Sequence, residues 1–275
     1  MKRVLGHVLA GVTFVAGGGV VVSACAHDDS TLFVSQVLAP QLVANGNECV
    51  FTGDPTQPFL SSGIVDVDFR NDYTPTYLVG NQTVPRGDPN APQTETSIIT
   101  IQGAVVKVTD TDGNTLRNFT RLSTATIHPS SGSTPSYSPI SVTTIDSQTL
   151  DGLRPKLAGG DTIRLVTYVQ FFGKTLGGQD VESNNFEFPV DVCMFVPGPN
   201  GGVLNSCLIQ FAPQDMNAVA MEPNCLSAAS GMASTTLPVP CERGQDFAVD
   251  CSQCQDVQAC HGVATSVPVD AGGGG

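Results

Sequence analysis

Alternating apolar and polar residues predict a β-rich body between residues 31 and 196. In residues 63–70 every second side chain from position 65 is Val or Phe, while Asp66, Asp68 and Arg70 take the positions between them. Side chains of a strand point alternately to its two faces, so we expect a half-buried strand with a polar outer face here. The same alternation predicts further strands at residues 77–81, 98–109, 115–122, 140–145, 162–172 and 186–194.

Turn residues separate these strands and favour antiparallel pairing. Asp112-Gly113 lies between two strand-like runs and predicts a tight hairpin turn. Gly103 predicts a bulge or bend inside the strand at 98–109. No stretch of the chain gives a convincing amphipathic helix pattern. About eight short strands of this kind predict a mainly β fold, an antiparallel immunoglobulin-like β-sandwich.

Two connections within this sandwich are long and polar, at residues 83–96 and 123–138. The first is rich in Pro and Gly, and the second contains a run of Ser, Thr, Gly and Pro. Long loops on a rigid scaffold are common binding surfaces, although many are only mobile connections. We treat both loops as candidate contact surfaces.

The composition changes after the Pro- and Gly-rich segment at residues 197–202. Residues 193–260 hold seven of the nine cysteines and few strand-like runs. A module this small depends on cross-links, because it cannot bury a large core. We therefore predict a sandwich domain at 31–196, a small disulfide-rich, loop-rich module at 197–261 packed on or beside it, and a disordered Gly-rich tail at 262–275.

The charge balance restricts the partners. The chain has 12 basic and 25 acidic residues and a formal net charge of -13. Nucleic acids need clustered Lys and Arg to displace counterions, so we expect no nucleic-acid partner. The apolar fraction of 40% is enough for a packed core.

The amino terminus carries an export signal. Lys2 and Arg3 precede an apolar stretch from Val4 to Val22, and small residues follow it. This arrangement is typical of a secretory signal peptide at residues 1–24. An ordinary cleaved signal and an uncleaved membrane anchor are the alternatives, although the glycines at 17–19 weaken the anchor.

Val22-Ser23-Ala24-Cys25 resembles the lipobox of bacterial lipoproteins. That resemblance implies that Cys25 is acylated and becomes the first residue of the mature protein, followed by a short tether that ends at residue 30. By analogy with enterobacterial sorting, Ala26 after the lipidated cysteine implies the outer membrane, with the side faced left open. The expected location is therefore the cell envelope, with a lipid anchor on Cys25.

The number of cysteines agrees with this interpretation. An odd count is awkward in an exported protein, where free thiols tend to pair. Setting Cys25 aside leaves eight cysteines, enough for four disulfides of unknown connectivity. The disulfide candidates are Cys49, Cys193, Cys207, Cys225, Cys241, Cys251, Cys254 and Cys260.

Several short motifs are similar to those of uncharacterised envelope lipoproteins of myxobacterial type with a Cys-rich C-terminus. They are residues 173–178, Val181-Glu-Ser-Asn184, Val192-Cys193, Pro240-Cys241, Gly244-Gln245-Asp246 and Val249-Asp250-Cys251, with Cys254 after them. This resemblance supports the location and implies no activity.

A metal or redox site is the alternative use of the C-terminal cysteines. Cys241, Cys251, Cys254, Cys260 and His261 include a Cys-x2-Cys pair, which is a standard half of a zinc site. In an oxidising compartment the same spacing more often forms disulfides, so we assign no metal and no cofactor.

Enzyme motifs are missing from the sequence. It contains no Gly-x-Ser-x-Gly and no His-Glu-x-x-His, and the mature histidines His27, His128 and His261 lie in different regions. We assign no catalytic residue, although a secreted hydrolase that uses His128 stays as an alternative. The sequence predicts a non-enzymatic, membrane-anchored envelope lipoprotein, a binding or structural module with an unidentified envelope protein or surface ligand as partner.

Overall fold

The computed structural model describes residues 31–42, 48–87, 95–194, 196–197, 203–205, 207–210, 238–240, 244–246 and 249–250. Within these residues the chain is mainly β, with one short helix. The strands are β1 (Leu32–Leu38), β2 (Gln41–Leu42), β3 (Glu48–Val50), β4 (Phe59–Leu60), β5 (Gly63–Asp66), β6 (Thr76–Asn81), β7 (Ile99–Asp110), β8 (Thr115–Ile127), β9 (Ser136–Ser141), β10 (Ile163–Thr175), β11 (Asp180–Glu182), β12 (Phe186–Cys193), β13 (Val196–Pro197), β14 (Val203–Asn205), β15 (Ile209–Gln210), β16 (Pro238–Pro240) and β17 (Val249–Asp250), and the helix is α1 (Ser147–Leu157).

Two curled sheets form the body of the protein. The first has the strand order β4-β1-β6-β9, and all of its pairs are antiparallel. The second has the order β5-β12-β10-β7-β8, with β11 paired to β10. In this second sheet β5 pairs with β12 in parallel, and the other pairs are antiparallel.

One hydrophobic core lies between the two sheets. The Tyr77 ring on β6 packs edge-on against Phe171 on β10 and Phe186 on β12, with centroid distances of 5.6 and 5.9 Å. Tyr77 and Phe171 are fully buried. Buried aromatic pairs of this kind add to the free energy gained from their apolar area, so this contact is a main link between the sheets.

The predicted hairpin is confirmed. β7 and β8 are joined by the turn that contains Asp112 and Gly113, and Gly113 has a φ of 84°, which suits Gly. The Asp110 carboxylate accepts hydrogen bonds from the Asp112 and Asn114 amides, which closes the turn. The predicted irregularity at Gly103 is also present, because the β7–β8 register shifts between Ile101 and Gly103.

The expectation that the chain forms no helix was wrong. Asp146 caps α1, and its side chain accepts a hydrogen bond of 3.0 Å from the Thr149 amide. The buried face of the helix is formed by Leu150, Leu153 and Leu157, which have helical spacing. Gly152 and Pro155 lie inside the helix and hide this pattern in the sequence.

The strand predicted at residues 63–70 was also wrong in its second half. β5 ends at Asp66, and the chain then turns, because the Phe69 and Arg70 amides both donate to the Asp66 carbonyl. The alternation of faces stops at this turn. Asp66, the last residue of β5, is buried and does not belong to a polar outer face.

Two other strand boundaries differ from the prediction. β8 continues to Ile127 and β9 begins at Ser136, so the connection predicted at 123–138 is shortened to residues 128–135. The strand predicted at 140–145 is the end of β9, whose last residue is Ser141. Both strands extend into Ser- and Thr-rich sequence that resembles a loop.

Parts of the region after residue 196 pair with the preceding chain. β16 pairs with β3, and a short segment at residues 244–246 lies against β5. The predicted tether and the Gly-rich tail lie outside the described residues.

Candidate functional site

Three connections meet at one end of the two sheets. We call this surface the loop end and define it as residues 83–87, 95–98, 128–135 and 176–179. The Ser130 amide and hydroxyl both donate to the Thr83 carbonyl, at 2.8 and 2.9 Å. On the other side, the Gly177 amide donates to the Thr96 carbonyl at 3.1 Å. The two loops predicted as contact surfaces therefore lie side by side, and a third connection adjoins them.

A buried asparagine holds the base of the loop end. The Asn81 side-chain amide donates to the carbonyls of Ser97 and Ile127, at 3.1 and 3.3 Å. Its oxygen accepts hydrogen bonds from the amide and hydroxyl of Thr83. Since Asn81 is fully buried, these bonds replace contacts with water and hold the loops to both sheets.

The Glu95 carboxylate organises the first of these loops. It accepts hydrogen bonds from the amides of Arg86, Gly87 and Ser97, at 2.9, 2.9 and 2.7 Å. These bonds, led by the one from Gly87, lower the pKa of Glu95. The negative charge of Glu95 is therefore stabilised by backbone amides of its own loop.

The rest of the loop end is poor in charge and partly apolar. Residues 128–135 and 176–179 contain no Asp, Glu, Lys or Arg. Val84 and Leu176 are 67% and 58% exposed, and the backbone of each is hydrogen-bonded to the segment at 96–98. His128, the first residue of the β8–β9 connection, is also exposed. The described part of the loop end therefore combines exposed apolar side chains with few charged ones.

A second polar cluster lies along β5, where residues 244–246 dock against the strand. The Asp66 amide donates to the Gly244 carbonyl, and the Asp246 amide donates to the Ile64 carbonyl. The Gln245 side chain pairs with the backbone of Thr74, accepting from its amide at 2.7 Å and donating to its carbonyl at 2.9 Å. We call residues 244–246 the docked segment.

The carboxyl group of Asp246 is the centre of this cluster. It accepts hydrogen bonds from the Ile64 amide at 2.8 Å and from the Tyr73 hydroxyl at 2.9 Å. Gly63 is required here, because a Cβ at this position would collide with the Tyr73 hydroxyl. The docked segment therefore closes over a site that is shaped to receive it.

Burial raises the pKa of Asp246 to about 7 and that of Asp66 to about 7 as well. The Oδ2 atom of Asp66 has no hydrogen-bond partner among the described residues. Asp66 is fully buried, and Asp246 is only partly exposed, with its carboxyl group hydrogen-bonded to Tyr73 and to the backbone of β5. The cluster fastens the C-terminal region to the sheet.

Sequence analysis missed both carboxyl groups. Asp66 was placed on an outer face, and the docked segment was noted only as part of a resemblance. No local signal identifies them, because Asp246 bonds to residues more than 170 positions earlier in the chain.

Two of the disulfide candidates are bonded to each other. Cys193, at the end of β12, forms a disulfide with Cys207. Cys49 is also disulfide-bonded. The lipidation candidate Cys25, the candidates Cys225, Cys241, Cys251, Cys254 and Cys260, and the histidines His27 and His261 lie outside the described residues.

In the described part of the chain, no group of three or more His, Cys, Asp or Glu side chains is placed to hold a metal ion. No helix in the same residues has the length and hydropathy needed to cross a membrane.

Comparisons with known proteins find little. No family model and no curated protein matches the chain. A solved target of the Northeast Structural Genomics Consortium is similar over 42% of this chain and 68% of its own, at 12% identity and a TM-score of 0.25. A protein from Archaeoglobus fulgidus is similar over 43% of this chain and 82% of its own, at 15% identity and a TM-score of 0.28. Likenesses this weak carry no argument about fold or function.

Proposed function

We propose that the protein is a lipid-anchored lipoprotein of the bacterial cell envelope whose folded body is a non-catalytic binding or structural module. The sequence Val22-Ser23-Ala24-Cys25 supports the anchor, and Ala26 supports the outer membrane. The Cys193–Cys207 disulfide supports export, because stable disulfides form mainly in oxidising compartments.

We also propose that the body is an immunoglobulin-like sandwich. In that fold the first sheet contains strands A, B and E side by side, and the second contains G, F, C and C′. The order β1-β6-β9 corresponds to A-B-E, and β12-β10-β7-β8 corresponds to G-F-C-C′. Under this correspondence β5 is a second part of strand A that pairs with G, and α1 lies in the connection between E and F.

The loop end is the observation that carries the binding role. It is built from the connections β6–β7, β8–β9 and β10–β11, which take the places of the B–C, C′–E and F–G loops in the proposed fold. Immunoglobulin variable domains use the loops at this end for recognition. Backbone bonds to Asn81 give the surface a fixed shape, and exposed Val84 and Leu176 give it apolar contact area.

The anchor is tested by an intact mass of detergent-extracted protein from its own host, alkylated without reduction. We expect a chain that begins at Cys25 and carries acyl groups, with no alkylated thiol. An unmodified Cys25, or a chain that retains residues 1–24, would reject the lipid anchor. Two or more free thiols together with bound zinc would favour a metal or redox role for the cluster from Cys241 to His261.

The non-catalytic role is tested with a panel of ester, peptide and glycoside substrates. We expect no saturable turnover by the purified protein. A saturable hydrolase activity that His128→Ala abolishes, while the folding of the variant is unchanged by circular dichroism, would show that the protein is an enzyme.

A further inference from the structure

We propose that the loop end faces the lipid surface to which Cys25 is attached, with Val84 and Leu176 in contact with the membrane interface. This inference rests on the proposed lipid anchor and specifies the partner of the loop end. The partner of the loop end is then the bilayer itself. The position of the chain start, the length of the tether and the chemistry of the surface support this orientation.

The chain enters the folded body at the loop end. The Gln82 amide donates to the Thr31 carbonyl at 2.8 Å, and Leu32 pairs with Asn81. Asn81 is the residue whose side chain holds the loops together. The first described residue of the protein therefore lies beside the β6–β7 connection.

The tether is too short to place the opposite end against the membrane. Five residues lie between Cys25 and Thr31, and the six extended steps from one to the other reach at most ~20 Å. β10 runs the length of the body from Ile163 to Thr175, and its 12 steps span ~40 Å. The end of the second sheet that carries Cys193 is therefore farther from Thr31 than the tether can reach.

Surface chemistry favours the loop end over the outer face of the second sheet. That face also exposes Leu122, but it carries Lys107, Arg164, Lys174 and Glu187, whose charges would lose water against lipid. Two of the three connections at the loop end carry no charged side chain. The mature chain, with ten basic and 25 acidic residues, is repelled by anionic headgroups. A surface with few charged side chains is therefore the one best suited to contact the membrane.

Apolar side chains at an interface sink only a short distance into the boundary between headgroups and acyl chains, about 5–10 Å. Val84 and Leu176 are on connections whose backbones are bonded to neighbouring loops, so they can enter that zone without unfolding. The lipid on Cys25 supplies the anchor, and these side chains set the orientation of the body.

The chain contains no Trp, so a single introduced Trp reports its own surroundings. Leu176→Trp probes the loop end. Phe59→Trp is the control away from the loop end, because Phe59 is 63% exposed and pairs with Leu38 at the far end of β1. Leu122→Trp probes the sheet face, where Leu122 is 85% exposed.

Each full-length acylated variant is reconstituted into phosphatidylcholine vesicles with plain or brominated acyl chains. We expect brominated lipid to quench Leu176→Trp strongly and to leave Phe59→Trp and Leu122→Trp unchanged. Quenching of Phe59→Trp or Leu122→Trp in place of Leu176→Trp would overturn the orientation. Equal emission of Leu176→Trp in both vesicles, with a blue shift only after an envelope extract is added, would assign the loop end to a protein partner and also overturn it.

Vesicle flotation and the intact mass of the same samples separate this inference from the proposed function. A chain that is acylated and floats, yet shows no quenching of Leu176→Trp, leaves the lipoprotein assignment intact and rejects the orientation. A chain without acyl groups rejects the lipoprotein assignment, and the orientation is rejected with it.

Discussion

Neutralising Asp246 should remove much of an unusual pH dependence of stability. The pKa of Asp246 and that of Asp66 are each about 7 in the folded protein, against an ordinary value of 3.8. A raised pKa means that the folded state binds protons more tightly than the unfolded chain. The stabilisation is fully present below about pH 4 and is lost as the pH rises through 7.

The size of the effect follows from the pKa values. The difference between 7 and 3.8 corresponds to about 4 kcal/mol for each carboxyl group, at about 1.4 kcal/mol per pH unit. Asp54 and Glu95, whose hydrogen bonds lower their pKa, work in the opposite direction and lose their contribution only in acid. We therefore expect a stability maximum at about pH 4 and a decline towards about pH 8.

Asp246→Asn is the informative variant. The amide cannot ionise, yet it keeps an oxygen for the Ile64 amide and a group that can bond to the Tyr73 hydroxyl. The free energy of unfolding should then decline about half as far between about pH 5 and pH 8 as in the unmodified protein, a difference of about 3 kcal/mol, because part of the stabilisation is already lost below about pH 5. The exposed Asp54→Asn serves as the control and should leave the decline unchanged.

Urea unfolding of the oxidised protein, followed by near-ultraviolet circular dichroism of its tyrosines, measures these free energies. The reasoning would be refuted by an unfolding free energy that stays flat or rises from about pH 5 to pH 8. It would equally be refuted if Asp246→Asn kept the whole decline.

Three further predictions concern the scaffold. Phe171→Ala removes the ring that packs on Tyr77 across the core and should cost about 3–5 kcal/mol in chemical unfolding; a loss below about 1 kcal/mol would contradict the shared core. Asp146→Ala removes the α1 cap and should cost about 1–2 kcal/mol, whereas Asp146→Asn should keep most of it by the same assay. Replacing Cys193 and Cys207 together by Ser opens a 14-residue separation and should cost about 3 kcal/mol, and an unchanged melting temperature would show that this disulfide adds no stability.

Much of the strand pattern was predictable because it is local. Alternation in the sequences of β7, β10 and β12 follows directly from the two faces of a strand, and Asp112-Gly113 encodes its own turn. The sequence also contains a signal for α1, since Leu150, Leu153 and Leu157 have helical spacing after an Asp cap. Gly152 and Pro155 lowered the local preference, and packing against the core outweighed them.

The candidate sites depended on contacts that no local pattern contains. The two long connections were visible as loops, but their meeting through Ser130 and Thr83 follows from the order of strands in two sheets. The sequence pattern alone predicts an exposed strand position for Asp66, whereas in the structure Asp66 is buried next to the docked segment.

The sequence by itself determined most of the period-2 strands, the turns and the acidic charge, because none of these depends on contacts between distant residues. Only the tertiary structure decided which strands pair, which loops share a surface and which carboxyl groups are buried. Those outcomes come from contacts between distant residues, such as Tyr73 with Asp246, and a buried polar group is recognised only when its partner is in place.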